Sequence, residues 1–130
     1  MLLDTSGLLC LLHRAEPQHA DACAAYRAAG RRLTHGHMLA EFVALAHARR
    51  VPRPAALAFV ADLATDPGIE TAWVDAALHG RAMDLLTARP DKAYSLCDAV
   101  SFVLMRDRGV WDALTTGRHF EQEGFHKLLG

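Results

Sequence analysis

The chain begins Met1-Leu2-Leu3-Asp4-Thr5-Ser6-Gly7-Leu8-Leu9, and this stretch indicates the fold. Its first four residues have the pattern of a short apolar strand that closes on an acid, and Thr5 opens a helical pattern directly after it. Short apolar runs that alternate with helices are typical of α/β proteins. Asp4 therefore stands where a strand ends and a helix begins.

The rest of the chain continues this alternation. Further strands are predicted at residues 32–34, 69–74, 111–115 and 124–129, and helices at residues 5–13, 17–29, 37–50, 54–65, 75–87 and 95–108. Crossovers between parallel strands are right-handed, so the starts of the helices are expected along the carboxyl edge of the sheet.

Composition limits the classes of protein to consider. The chain has 130 residues, 52% hydrophobic and 22% charged, so we expect one domain, residues 1–130, with a buried core. A net charge of -1 gives no overall attraction for nucleic acid, and any such contact must be local or pass through a cation. There is no basic leader and no run of about 20 apolar residues, which predicts a cytoplasmic protein with no membrane contact.

Three acids occupy comparable positions in three segments. Asp4 follows the first strand, Glu41 lies in Leu39-Ala40-Glu41-Phe42, and Asp98 lies in Ser95-Leu96-Cys97-Asp98. Each also has a purely structural interpretation. Asp4 fits an N-cap, Glu41 fits a first-turn acid favoured by the helix dipole, and Ser95-x-x-Asp98 fits a capping box.

The topology predicts that these acids share one cleft. Asp4, the strand end after Thr115 and the helix start near Asp98 lie at the carboxyl edge of the sheet, and Glu41 joins them from the helix after the second strand. Clustered carboxylates repel one another unless one is protonated or a cation compensates. Oxygen ligands without histidine or cysteine match Mg²⁺ or Mn²⁺. Such an ion offsets charge on a phosphodiester, so the pattern indicates a metal-dependent nuclease.

Four segments carry a resemblance to a known family. They are Leu3-Asp4-Thr5-Ser6-Gly7-Leu8-Leu9, Leu39-Ala40-Glu41-Phe42, Tyr94-Ser95-Leu96-Cys97-Asp98-Ala99-Val100-Ser101-Phe102, and Ala113-Leu114-Thr115-Thr116-Gly117-Arg118-His119-Phe120 with Gly124-Phe125. In this order they resemble the PIN-domain family, and within it the chain is similar to the toxin ribonucleases of VapBC-type toxin–antitoxin pairs. The resemblance spans the whole chain.

The resemblance implies a doubly wound, mainly parallel α/β sheet flanked by helices, and a Mg²⁺-dependent endoribonuclease, with Mn²⁺ as the other candidate ion. By position, Asp4, Glu41 and Asp98 would be the catalytic acids and would bind the metal or hold water. Thr5 or Ser6 would support the site or its substrate by hydrogen bonding. Arg118 would contact a phosphate, or else be a solvated surface residue. The implied partners are an RNA substrate, a cognate antitoxin protein and a second copy of the chain in a homodimer.

One position departs from the family pattern. The last motif usually carries an acid between the threonine-containing strand end and Arg118, and this chain has Gly117 there. With one carboxylate fewer, a metal would be held more weakly. Three explanations follow: reduced one-metal activity, lost catalysis with retained binding, or a substitution favoured because the active toxin harmed its expression host. The alternative function is therefore a catalytically impaired PIN module that binds RNA or a protein partner without cleavage.

Two further groups of residues have competing interpretations. His35 and His37 contact a substrate phosphate or, as we favour, are exposed histidines at a turn or in the first turn of a helix. The apolar side chains of the first two predicted helices form an antitoxin groove, a homodimer contact or part of the core; they are Leu8, Leu9, Leu11, Leu12, Ala22, Ala25 and Tyr26.

Overall fold

Five short strands form one parallel sheet in the computed structural model, which describes all 130 residues. The strands are β1 (Leu2–Leu3), β2 (Leu33–His35), β3 (Glu70–Ala72), β4 (Asp112–Leu114) and β5 (His126–Lys127). Their order across the sheet is β3-β2-β1-β4-β5, and every neighbouring pair is parallel. The predicted doubly wound α/β fold is confirmed.

Helices supply the connections between the strands. They are α1 (Thr5–Leu12), α2 (His19–Ala28), α3 (Gly36–Ala48), α4 (Arg53–Thr65), α5 (Ala76–Ala88), α6 (Leu96–Arg108) and α7 (His119–Gln122). Helix α1 packs against α2 and α3, and α5 packs against α6. No helix has both the length and the apolar character that a membrane span requires.

The apolar faces of α1 and α2 belong to the core. Leu8, Leu9 and Ala22 are buried, and the remaining apolar side chains of these two faces are partly buried against the same cluster. Of the three interpretations of these residues, the core is the one that the packing supports. This packing fits a parallel sheet, whose strands are covered on both faces.

Two local features differ from the predicted elements. Helix α2 begins at His19, so Pro17 precedes the helix and does not lie in its first turn. The four-residue helix α7 was not predicted at all. Such a short helix has little intrinsic stability, and tertiary contacts decide whether it forms.

Glu123, directly after α7, supplies part of that tertiary support. Its side chain is 3% exposed and accepts hydrogen bonds from Arg89 at 3.1 Å and from Arg106 at 2.7 Å. Burial raises the pKa of Glu123, but the hydrogen bonds from the two arginines outweigh burial, so the pKa lies below its usual range. This ionised carboxylate ties the end of α7 to α5 and α6.

The strand order reverses between β1 and β4. The chain builds outward from β1 to β2 and β3, and then crosses back to place β4 on the other side of β1. In α/β sheets a crevice opens at such a reversal, outside the carboxyl ends of the strands. Asp4 follows β1 and Thr115 follows β4, so both lie at this point.

Gly7 allows α1 to approach β4 at the reversal. A Cβ atom added at Gly7 would overlap the backbone carbonyl of Leu114. Since that atom is backbone in a buried strand, it cannot move aside as a flexible side chain would. Gly7 is therefore required for the space it leaves, and this contact sets the distance between the start of α1 and the end of β4.

We expect Gly7→Ala to destabilise the protein by about 3 kcal/mol, the upper end for overpacking a core. Gly80→Ala is the matched control, because Gly80 lies inside α5 and an added Cβ there meets nothing within 4 Å. The control should stabilise by about 0.5–1 kcal/mol through helix propensity. Urea unfolding measures both. Equal effects of the two substitutions would contradict the close approach at Gly7.

Candidate active site

A polar cleft of about 350 Å³ opens at the reversal of strand order. Phe120 is its only hydrophobic lining residue. The other residues that line it are Asp4, Thr5, Ser6, Glu41, Ser95, Asp98, Thr115, Thr116, Gly117, Arg118 and His119. The cleft therefore brings together the three acids with Thr5, Ser6, Gly117 and Arg118, but neither His35 nor His37 lines it.

A hydroxyl network fixes the carboxylate of Asp4. Thr115 donates a hydrogen bond to Asp4 Oδ2 at 2.6 Å, and Ser6 donates to the same oxygen at 3.2 Å. Each hydroxyl also accepts a backbone N–H at 3.0 Å, Thr115 from Gly117 and Ser6 from Thr116. These chained bonds polarise the hydroxyls toward the carboxylate. Asp4 Oδ1 receives no hydrogen bond from either hydroxyl.

The Asp4 side chain does not cap α1, although the N-cap interpretation predicted that it would. Asp4 is the N-cap residue of α1 by position, but its carboxylate makes no capping hydrogen bond. The carboxylate is used by Thr115 and Ser6 instead. Helix capping therefore does not explain an acid at this position.

The charge of Asp4 has no cationic partner. Burial raises the pKa of Asp4 above the usual aspartate range, the neighbouring Asp98 charge raises it further, and the hydrogen bonds from Thr115 and Ser6 offset these effects only in part. No lysine, arginine or histidine lies within ion-pair distance of Asp4 or of Glu41. Unpaired carboxylates in a polar cleft favour a bound cation.

Asp98 is shared between the start of a helix and the cleft. Its Oδ2 atom accepts from the Ser95 backbone N–H at 3.0 Å, and Ser95 Oγ accepts from the Asp98 N–H, which completes the predicted capping box. The same Oδ2 atom contacts His119 Nδ1 at 2.8 Å. Asp98 Oδ1 makes no hydrogen bond. The Oδ2 atom therefore caps α6 and contacts His119, and the Oδ1 atom is left for a ligand.

Glu41 is exposed and lies in the second turn of α3, which begins at Gly36. The first-turn interpretation of Glu41 is therefore wrong. Glu41 lies beside the Cys97 thiol, and burial together with this carboxylate raises the pKa of the thiol. Glu41 reaches the cleft from the neighbouring helix, as the topology predicted.

His35 is buried, which contradicts both interpretations made for it. Its Nδ1 atom accepts the Met38 N–H at 3.2 Å and so caps α3, and its Nε2 atom lies 2.8 Å from Ser101 Oγ. The cap fixes the Nε2–H tautomer, which donates to Ser101. Burial, with the nearby His37, lowers the pKa of His35 to about 3. This neutral histidine anchors the helix that carries Glu41.

Gly117 lies at the cleft edge and leaves room for a side chain. A Cβ atom added there would meet only Thr115 Oγ1, at an ordinary contact distance of 3.4 Å. Arg118, the next residue, is exposed, lines the cleft and makes no ion pair. The missing acid therefore reflects the residue type at position 117 and not a lack of space.

The sequence missed two contributors to this geometry. Thr115 was seen only as the end of a strand, and its bond to Asp4 depends on the pairing of β1 with β4. His119 was placed near the cleft edge without its contact to Asp98. The threonine that follows a strand at the reversal was the available signal for Thr115, and nothing local signalled the His119 contact.

The oxygen donors of the cleft are not gathered into a ready-made metal cage. No group of three acidic, histidine or cysteine side chains is close enough to hold one ion. The donors are nevertheless all hard oxygens, of the type that Mg²⁺ prefers. Mg²⁺ keeps several waters and commonly takes only one or two carboxylates from a protein.

Comparison with known proteins identifies the family. The PIN-domain family model matches residues 1–124. The chain belongs to the PIN-domain family. Among solved structures, this PIN domain is similar to the toxin VapC20 of Mycobacterium tuberculosis, which is described as cleaving the Sarcin-Ricin loop. The two are 26% identical with a TM-score of 0.88, and the match covers 99% of this chain and 98% of that one. No curated protein matches the chain.

The likeness to VapC20 confirms the VapC-type resemblance of this PIN domain. Since the match covers nearly all of both chains, the strands and helices that frame the cleft are part of the shared fold. The match supports a nuclease toxin of this general kind.

We expect this PIN domain to become less stable as the pH is lowered, because of His35. Between the usual histidine value of 6.5 and about 3, the unfolded chain binds a proton that the folded chain excludes. The contribution of His35 is thus fully present above pH 6.5 and is lost as the pH falls, by about 1.4 kcal/mol per pH unit.

Urea unfolding at several pH values between about 6.5 and 4.5 tests this expectation. His35→Asn keeps a helix-capping side chain and should reduce the slope of stability against pH. His79→Asn removes an exposed histidine and serves as the control. A slope that His35→Asn leaves unchanged would show that His35 is not the group responsible.

Proposed function

We propose that the chain is a divalent-metal-dependent endoribonuclease, the toxin of a VapBC-type toxin–antitoxin pair, with the polar cleft as its active site. We also propose that residues 1–130 act as one domain. The observation that carries the proposal is the convergence of Asp4, Glu41 and Asp98 on one cleft, although each acid comes from a different part of the chain. The family supports a nuclease, and the likeness to VapC20 supports the toxin class.

The donor set of the cleft fits Mg²⁺ or Mn²⁺. Burial raises the pKa of Asp4, so a nearby divalent cation would favour its ionised form. One or two of Asp4, Glu41 and Asp98 would bind this ion directly, and the remaining acid would hold it through bound water. When bound, it would lower the pKa of a water molecule and offset the charge on a phosphodiester.

Neighbouring residues would orient the acids and the substrate. Ser6 and Thr115 fix Asp4 through its Oδ2 atom, which leaves Oδ1 for a ligand. His119 and the Ser95 backbone do the same for Asp98. The planar guanidinium of Arg118 would contact a phosphate of the RNA. Thr5 lines the cleft and would contribute a hydroxyl to substrate binding.

Gly117 favours a second candidate, a PIN module that binds without cutting. Glycine supplies no ligand, so the cleft lacks the fourth acid of the family pattern. Asp112 and Glu121 do not replace it, because neither side chain lines the cleft. Such a module would keep the cleft, its binding of RNA and its protein partner, but would lack measurable hydrolysis.

The toxin proposal also implies partners. We propose an RNA substrate, a small antitoxin protein that would cover the cleft, and a homodimer as the assembled form. The charge of the cleft supports the antitoxin, because unpaired carboxylates would accept a basic side chain of a partner. A basic side chain in the cleft would compete directly with the metal.

Metal binding is testable without activity. We expect excess Mn²⁺ to stabilise the protein, by about 2.7 kcal/mol at one hundred times the dissociation constant. Asp4→Asn should lose this effect and should be more stable than the unchanged chain without metal, because it no longer buries an unpaired charge. Asp112→Asn, at the amino end of β4 and outside the cleft, is the matched control. Equal Mn²⁺ stabilisation in Asp4→Asn would remove Asp4 from the metal site.

RNA cleavage decides between the two candidates. A panel of structured RNAs is incubated with Mg²⁺ or Mn²⁺ and with the unchanged chain, Gly117→Asp, Gly117→Asn or Asp4→Asn. We expect weak cleavage by the unchanged chain, roughly tenfold faster cleavage by Gly117→Asp, and none by Asp4→Asn. Gly117→Asn is the matched control, since it adds the same shape without the charge.

Each pattern of results has a distinct meaning. Cleavage that Asp4→Asn abolishes establishes a nuclease that works with three acids. A silent unchanged chain with an active Gly117→Asp variant means an intact scaffold that lacks one acid. Silence of both, with Mn²⁺ and RNA still bound, supports the binding module.

A further inference from the structure

Trp73 is the most exposed large hydrophobic residue of the protein, at 66%. It follows β3 directly and therefore lies at the carboxyl edge of the sheet, the edge that carries the cleft. His35 pairs with Ala72 in the sheet, so Trp73 comes level with Gly36, the first residue of α3. Single exposed apolar residues are common, and the position of Trp73 rather than its exposure is informative.

The indole ring is held in place on one side by Gly36. A Cβ atom added at Gly36 would lie 2.9 Å and 3.1 Å from two carbons of the six-membered ring. The backbone of Gly36 does not adopt a positive φ, so a side chain added there would be opposed only by the indole, which would have to shift. The ring therefore packs beside Gly36 and leaves most of its surface to solvent.

A second cavity adjoins the acidic cleft. Its volume is about 330 Å³, and it is lined by His37, Ala40, Glu41, Ser95, Leu96 and Cys97. It shares Glu41 and Ser95 with the cleft, and His37 is the residue after Gly36. The cavity therefore adjoins both the cleft and the start of α3, where the indole packs beside Gly36. Strands β3 and β1 are two strand spacings of roughly 5 Å apart.

The lining of this cavity suits a nucleobase. Ala40, Leu96 and Cys97 offer apolar surface, while His37 and Ser95 offer hydrogen-bonding groups. A base likewise has apolar faces and a polar edge. Unpaired bases of RNA are commonly recognised by stacking on aromatic side chains combined with hydrogen bonds to their edges.

We propose that Trp73 and the second cavity form a nucleobase subsite of the RNA groove, in which an unpaired base next to the cleaved phosphodiester stacks on the indole. This inference rests on the proposed function and specifies the substrate as RNA that is single-stranded beside the cut. A base engaged in a continuous duplex stack has no free face for the indole.

Tryptophan fluorescence tests the contact directly, because the chain has two tryptophans. Trp111→Phe leaves Trp73 as the only fluorophore, and Trp73→Phe leaves Trp111. Trp111 is also exposed, but it precedes β4 at the opposite edge of the sheet and its ring centroid lies 5.3 Å from that of Phe125. We expect a mixed-sequence single-stranded oligoribonucleotide to quench the emission of Trp111→Phe and to leave that of Trp73→Phe unchanged.

Affinity and kinetics supply the second measurement. Trp73→Ala should weaken binding of the oligoribonucleotide roughly five- to a hundredfold, Trp73→Phe should keep most of the affinity, and Trp111→Ala should not change it. In the Gly117→Asp background, Trp73→Ala should raise KM more than it lowers kcat. Gly36→Ala should displace the ring and weaken binding, while Gly80→Ala should not.

The outcomes separate this inference from the proposed function. If the chain binds and cuts RNA but Trp73→Ala matches the unchanged protein and Trp73 is not quenched, the subsite is overturned and the nuclease proposal stands. If no variant, including Gly117→Asp, binds or cuts RNA, both proposals fail. If Trp73→Ala instead alters the oligomeric state on size-exclusion chromatography and leaves RNA affinity unchanged, Trp73 belongs to a protein interface and the subsite is overturned.

Discussion

The close approach of α1 to β4 at Gly7 is the constraint on which the site depends. Any Cβ atom at this residue would overlap the Leu114 carbonyl, and a displaced α1 would carry Ser6 and the end of β1 away from β4. The hydroxyl network needs both strand ends within hydrogen-bond distance, because Asp4 follows β1 and Thr115 follows β4. The absence of a side chain at Gly7 thus lets α1 pack against β4, and the acidic cleft forms at the ends of β1 and β4.

Two carboxylates, the buried Glu123 and the half-buried Asp4, contrast a structural role with a functional one. Glu123 is paired with two arginines, and its pKa is lowered. Asp4 has hydroxyl partners but no cation, and its pKa is raised. Ion pairing gives Glu123 a structural role, whereas Asp4 keeps an unfavourable charge that protonation or an added cation would relieve. Strain of this kind is characteristic of functional sites.

The sequence predicted the fold because its signals are local. Alternating apolar runs, strand-closing acids and helix starts located all five strands and every helix except α7, whose four residues depend on tertiary support. The three acids were predicted to meet in one cleft because parallel topology leaves few other arrangements. The Thr115 and His119 contacts and the burial of His35 were not predicted, because each depends on which side chains face one another across elements distant in sequence.

Position 117 separates steric from electrostatic requirements. The backbone N–H of Gly117 supports Thr115, a task that any residue except proline would perform, and the space beside it accepts a side chain. Glycine also spares the cleft the repulsion of a further carboxylate near Asp4. A single substitution at this position can therefore change the charge of the cleft, and with it the strength of any metal binding, without rebuilding the surrounding scaffold. Changes at position 117 would then be selected largely independently of the folding of the protein.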